Sequence, residues 1–225
     1  MTATADDDAR RAPVAASVAE VARRVRALPT TTPLVAVDGV DGAGKTTFAD
    51  ALADHLRATG TRTLRVSVDG FHRPRAERYR QGRASPSGFF EDSYDLPAFR
   101  AAVVEPLRPG GDRRVRTAVF DHRTDRPVAV EPVAVADGTA VVVDGIFLHR
   151  DELADAWDLS VWLEVPFTTT FARMAVRDGC PADPDDPANA RYRDGQLLYL
   201  DRCDPRSRAT LVLDHDDAPP GVRGR

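Results

Sequence analysis

The stretch GVDGAGKT, Gly39 to Thr46, follows the apolar run Pro33-Leu-Val-Ala-Val-Asp38 and holds Lys45, the only lysine among 31 basic side chains. Leu34 to Val37 reads as a strand. Thr46 to Thr59 repeats Phe48, Ala51, Leu52 and Leu56 at helical spacing, with Gly60 as its stop. Strand, then Gly-x-x-x-x-Gly-Lys-Thr, then helix is the arrangement in which backbone N–H groups and a helix N-terminus surround the phosphates of a nucleotide. Gly39, Gly42 and Gly44 let the backbone turn and approach phosphate oxygens, with Asp41, Ala43 and Thr47 in the same nucleotide-binding set. Lys45 would reach the terminal phosphates, and Thr46 would offer its hydroxyl to Mg²⁺. Arginine's planar fork is broad for that closed loop, which accounts for a lysine here in a chain whose other basic residues are all arginine.

A chain of 225 residues suits one domain, placed at 15–215, with tails at 1–14 and 216–225. The net charge is −4, and 35 acidic residues are interspersed with the basic ones, so no basic block points to a nucleic-acid partner. No apolar run approaches the roughly 20 residues of a membrane helix. The N-terminus, MTATADDDARRAPVAA, lacks the charged start and apolar core of a leader, and a cytoplasmic protein without a membrane partner is expected. Cys180 and Cys203 fit no metal-binding spacing and read as reduced structural thiols. Self-association into a homo-oligomer is left open.

Apolar strands alternate with amphipathic helices, the pattern of an α/β parallel sheet flanked by helices. Ala16 to Leu28 places Val18, Val21, Val25 and Leu28 on one helical face. Further strands are expected at Leu64 to Val68, Val115 to Phe120, Ala140 to Val143, Leu159 to Val165 and Ala209 to Leu213. Helices are expected at Leu96 to Leu107, Thr168 to Arg177 and Ala190 to Leu200. Gly70 to Ser93 reads as irregular, and residues 178–195 as a lid.

A nucleotide loop serves small-molecule kinases, nucleotide-hydrolysing switches and nucleic-acid enzymes alike. The guanine-reading motif Asn-Lys-x-Asp of many switches is excluded, because the single lysine is already used. A helicase-like enzyme usually needs more chain. A kinase needs a carboxylate near the transferred phosphoryl group to orient and deprotonate the acceptor hydroxyl. Asp69 ends the strand LRVSV, and strand ends in a parallel sheet face the same crevice as the loop. An Asp-Gly turn is the plainer reading of the same two residues.

Asp69-Gly-Phe71-His72, Tyr94-Asp95-Leu-Pro97-Ala98-Phe99, Phe120-Asp121-His122-Arg123, Val-Val-Val-Asp144-Gly145 and Arg173-x-x-x-Arg177-Asp178 together resemble the uridine kinase and phosphoribulokinase family of P-loop kinases, over most of residues 33–214. The resemblance implies ATP and Mg²⁺ as cofactors and transfer of the γ-phosphoryl group to a hydroxyl of a nucleoside-like small molecule, uridine or cytidine first. It makes Asp69 the general base and Asp95 the ribose grip, with an N-cap role open to Asp95 as well. Phe71, His72, Tyr94, Phe120, His122, Arg123 and Gln196 would line the acceptor, Asp144 would join Thr46 at the metal, and Arg173 and Arg177 would be lid arginines. His72 stands where the family usually has tyrosine, and Asp69 to Asp95 is rich in arginine. Relatives of similar outline that phosphorylate pantothenate, glycerate, nicotinamide riboside or ribulose phosphate remain alternatives, as does, from another class, a hydrolytic switch or chaperone.

Overall fold

The computed structural model describes residues 5–216. Five strands, β1 (Leu34–Gly39), β2 (Arg62–Ser67), β3 (Thr139–Asp144), β4 (Leu159–Glu164) and β5 (Leu211–Asp214), form one sheet in the order β2-β3-β1-β4-β5. Every pairing in it is parallel. Strands joined this way need crossovers that cover both faces, and unbroken apolar runs suit such positions. All residues of β1 and β3 are accordingly buried. The longer helices are α1 (Ala5–Arg26), α2 (Lys45–Ala58), α3 (Pro86–Asp92), α4 (Phe167–Asp178) and α5 (Ala190–Cys203).

Register places the functional ends together. Val37 of β1 and Ser67 of β2 are both level with Asp144 of β3. The chain leaving β1 proceeds toward β2 on one side, whereas the chain leaving β3 crosses to β4 on the other side of β1. That reversal opens a crevice at the carboxyl ends of the strands.

Several elements depart from the sequence expectation. The first helix starts at Ala5, inside the stretch read as an N-terminal tail, and ends at Arg26. Residues 1–4 and 217–225, the outer parts of the two expected tails, lie outside the described residues. Val18, Val21 and Val25 are buried as their spacing predicts. The stretch 70–93 is not irregular throughout, because it contains α3. Ser85 caps that helix by accepting from Gly88 N at 3.0 Å, and Pro86 occupies its first turn, a start signal present in SPSG. The expected helix 96–107 is helical but changes its winding, from an α turn (Leu96–Phe99) to a π turn (Arg100–Val104) and a 3₁₀ turn (Glu105–Leu107). Pro106, which has no N–H to donate, lies in the last. The expected strand 115–120 is split into two-residue ladders, Arg114–Val115 with Val133–Ala134 and Phe120–Asp121 with Arg126–Pro127. Between them Arg116 N donates to Ala102 O and Val119 N to Gly70 O, so the segment serves several partners.

Helices α3 and α5 pack at Gly195, where an added Cβ would lie 2.6 Å from Phe89 Cδ1 and 3.0 Å from Pro86 O. Gly195→Ala should lower stability by about 1–2 kcal/mol in urea unfolding, because overpacking outweighs the ~1 kcal/mol gain in helix propensity.

Candidate active site

The loop between β1 and α2 turns at Gly42 (φ +76°) and Gly44 (φ +88°), and Gly44 caps α2 in the left-handed conformation. A Cβ on Gly42 would lie 2.5 Å from Thr170 O of α4, so a side chain is excluded by contact as well as by φ. The Lys45 ammonium donates to Val40 O at 2.8 Å across the loop. Thr46 Oγ1 donates to Asp144 Oδ2 at 2.6 Å, which unites the two residues expected at the metal. Hard oxygen donors of this kind fit Mg²⁺, which is commonly held by one or two protein oxygens and substrate phosphates. Among the described residues no three His, Cys, Asp or Glu gather around one point, and such a site needs none.

Two supports of the loop were not visible in the sequence. Asp144 is buried, and its other oxygen, Oδ1, accepts from Arg65 Nη2 at 2.9 Å. Arg65 is fixed in turn by Val142 O at 2.9 Å and Asp50 at 2.9 Å. Beneath the loop, Asp38 is fully buried and takes N–H bonds from Gly39 at 2.8 Å, Leu148 at 3.0 Å and His149 at 3.2 Å. The His149 ring donates to it through Nδ1 at 2.7 Å, and the Tyr199 hydroxyl donates as well. A lone carboxylate in an apolar strand was the signal available for Asp38. Arg65 gave none.

On the acceptor side, Asp69 is exposed in a 3₁₀ turn after β2, and the Tyr94 hydroxyl donates to its Oδ1 at 2.9 Å. Burial and the Asp69 charge push the Tyr94 phenol well up, so it remains a donor. His72 donates through Nδ1 to Asp69 O at 2.9 Å, and its ring lies 4.4 Å from Tyr94 and 4.6 Å from His122. Burial holds the His72 imidazole below its usual range; the Asp69 carbonyl and charge oppose this, and His122 and Arg78 add to it.

Three expected base contacts have other surroundings. Phe71 is fully buried edge-on to Phe99 at 5.1 Å, a core position that leaves no face for a base. The buried Tyr94 meets Asp69 through its hydroxyl, and Phe120 is largely buried in its short ladder. Asp95 caps the next helical turn, accepting from Ala98 N at 2.9 Å. Arg123 is exposed in the turn beyond Asp121. Gln196 is buried on α5 and points to the nucleotide loop, donating to Asp41 at 3.3 Å. Burial pushes the Asp41 carboxyl up, although Lys45 and Gln196 pull it down.

The two α4 arginines differ. Arg173 donates to Gly42 O and His215 O, both at 3.3 Å, and so braces the loop from behind. Arg177 is exposed and paired with Asp178 at 2.7 Å. Thr47 is exposed on α2, and Ala43 is buried under the loop.

A phosphate loop at the end of β1, a carboxylate at the end of β2 and an aspartate at the end of β3 in a parallel sheet define a P-loop kinase of small molecules. A model of the phosphoribulokinase / uridine kinase family matches residues 34–180, and the chain belongs to that family. It is 24% identical over 147 residues to a uridine kinase of Leuconostoc citreum, spanning 64% of this chain and 68% of that one. It is 30% identical over 149 residues to a thymidylate kinase of Xanthomonas campestris, spanning 66% of this chain and 63% of that one. A solved structure of a possible uridine kinase from Bacillus stearothermophilus has the same fold, with a TM-score of 0.69 at 23% identity over 88% of this chain and 97% of that one. The protein is a phosphotransferase with a hydroxyl acceptor, and no helix among the described residues is long and apolar enough to cross a membrane.

Removing Arg65 would leave the buried Asp144 carboxylate without its counter-charge. Arg65→Met should cost about 3 kcal/mol in urea unfolding with EDTA present, and Asp144→Asn in the same chain should restore much of it. A second expectation concerns pH. His72 is held low in the fold, while the unfolded imidazole binds a proton near pH 6.5, so stability falls as pH drops below that value. The loss in urea midpoint between pH 7.5 and 5.5 should be smaller for His72→Phe than for the wild type.

Proposed function

We propose that this protein transfers the γ-phosphoryl group of ATP to a hydroxyl of a nucleoside-like small molecule, with uridine and cytidine as the parent compounds. The observation that carries this reading is the placement of Asp69. Its carboxylate is exposed just beyond the end of β2, oriented by the Tyr94 hydroxyl, two residues after Ser67, which is level with Asp144. Tyr94 occupies one oxygen of Asp69, leaving the other to accept the proton of an incoming hydroxyl.

Lys45 and the loop amides neutralise charge on the phosphates, and Arg177 does so from the lid side at 178–195. Thr46 and Asp144 would hold Mg²⁺, which would supply charge neutralisation on the phosphates. Arg173 acts through the loop it braces. Closure of the lid excludes water, so that the acceptor hydroxyl rather than water meets the phosphoryl group. The His72–His122 pair offers a flat face to a ring on the acceptor. Asp95, already an N-cap, keeps one oxygen for a vicinal diol.

ADP release from MgATP should rise well above the basal rate with one acceptor among uridine, cytidine, pantothenate, glycerate, nicotinamide riboside and ribulose 5-phosphate. Asp69→Asn should reduce that stimulation by about 10²–10⁴-fold while ATP binding survives. Unstimulated release that is equal in the two proteins would instead favour a hydrolytic switch.

A further inference from the structure

Several arginines of the loop after Asp69 have local partners. Arg73 reaches Tyr94 O at 3.0 Å and Glu77 at 3.4 Å, and Arg80 reaches Asp92 at 3.0 Å. Three others gather on one ring: the guanidinium carbons of Arg78, Arg83 and Arg191 lie 5.5, 5.0 and 4.9 Å from the centre of Tyr79. Among the described residues, the one carboxylate in ion-pair contact with them is Asp125, 3.7 Å from Arg78. Arg191 donates through Nη1 to the carbonyls of Gly82 and Arg83, so its partners there are neutral.

Cation–π contact offsets part of the repulsion among three like charges, but it supplies no counter-charge. In a chain with more acidic than basic residues, this under-neutralised group is a local exception. Burial, with Arg78 and Arg83 beside it, pulls Arg191 down, while Tyr192 and Tyr79 act the other way.

The group borders the acceptor side of the site. Arg78 lies in the turn that follows His72, near enough to help hold that imidazole low. A small molecule with its hydroxyl at Asp69 would therefore extend toward these guanidiniums.

We propose that Arg78, Arg83 and Arg191 form the seat of an anionic group, a carboxylate or a phosphate, carried by the hydroxyl acceptor. The proposal rests on the kinase reading and narrows its acceptor to negatively charged molecules. Guanidinium forks match both anions in shape, and several forks around one point suit a group with two or three equivalent oxygens.

Two experiments test the seat. In the first, protein saturated with MgADP is titrated with inorganic phosphate by calorimetry, so that the nucleotide loop is already filled. Saturable binding is expected, weakened about 10–100-fold in Arg83→Gln/Arg191→Gln and unchanged in Arg23→Gln/Arg24→Gln, two exposed positions on α1. Arg83→Gln alone, at an exposed position, serves if the double variant fails to fold. Equal phosphate binding in all variants, or none in the wild type, overturns the seat whatever the enzyme phosphorylates.

In the second, ADP release is compared for matched acceptors: orotidine against uridine, ribulose 5-phosphate against ribulose, pantothenate against pantothenol, glycerate against glycerol. The anionic member of one pair should exceed its neutral partner at least 10-fold in kcat/KM. Its KM should rise 10–100-fold in the double variant, with the KM for ATP unchanged. A neutral acceptor that performs equally, or a rise in the KM for ATP instead, overturns the proposal; an absence of stimulation beside arginine-dependent phosphate binding rejects the kinase reading and leaves the seat standing.

Discussion

The buried carboxylate of Asp38 holds the end of β1 to two distant parts of the chain. It accepts from the backbone of the very next residue, from the Leu148–His149 segment after β3, and from Tyr199 of α5. A carboxylate with that many donors is satisfied without water, whereas the same group without them would be costly to bury. The nucleotide loop springs from Gly39, immediately after this knot. The strand end, the segment after β3 and the helix that carries Gln196 and Arg191 are therefore fixed relative to one another before any ligand arrives. Preorganisation of this kind is what phosphoryl transfer asks of a protein, because the chemistry is mostly placement and charge.

Around that anchor the site has two halves with different electrostatic character. At the nucleotide end, Asp144 is balanced by Arg65 and bonded to Thr46, so the acidic side chain stays oriented without a metal. At the acceptor end, Asp69 is exposed and held by a neutral phenol, and Arg177 of α4 lies within reach of its charge. The β2 strand serves both halves: Arg65 within it faces Asp144, and Asp69 follows directly after its end.

The parallel sheet, the nucleotide loop, Asp69 and Asp144 were legible in the sequence because each is written in contiguous residues. Apolar runs mark β1, β3 and β4, and a motif of eight residues marks the loop. Asp38 and its distant partners are 110 to 161 residues apart, a separation no local pattern reports. Phe71 and Gln196 were read as acceptor contacts from their place in a motif, yet packing assigns Phe71 to the core and Gln196 to the nucleotide loop. Tyr94 shows the same limit in another form, because its ring pattern suggested stacking while its hydroxyl does the orienting. Helix α3 was overlooked where polar composition masked a Ser-Pro start. Arginine count alone also misled in both directions: most of the arginines after Asp69 have local partners, and the under-neutralised group includes Arg191, more than a hundred residues further along the chain.

Lys45 carries the single side-chain amine of the chain, and the fold turns it inward to Val40 O. Amine-directed chemistry among the side chains thus has one address, at the floor of the nucleotide crevice. Apart from the α-amine, an acyl or aldehyde reagent of suitable size has this one amine to label, and its rate of attachment there reports directly on whether that ammonium is engaged. Surface immobilisation through lysine, routine for many proteins, would here proceed through the one position where it obstructs the site. The arginine-rich exterior leaves the label no competing side chain.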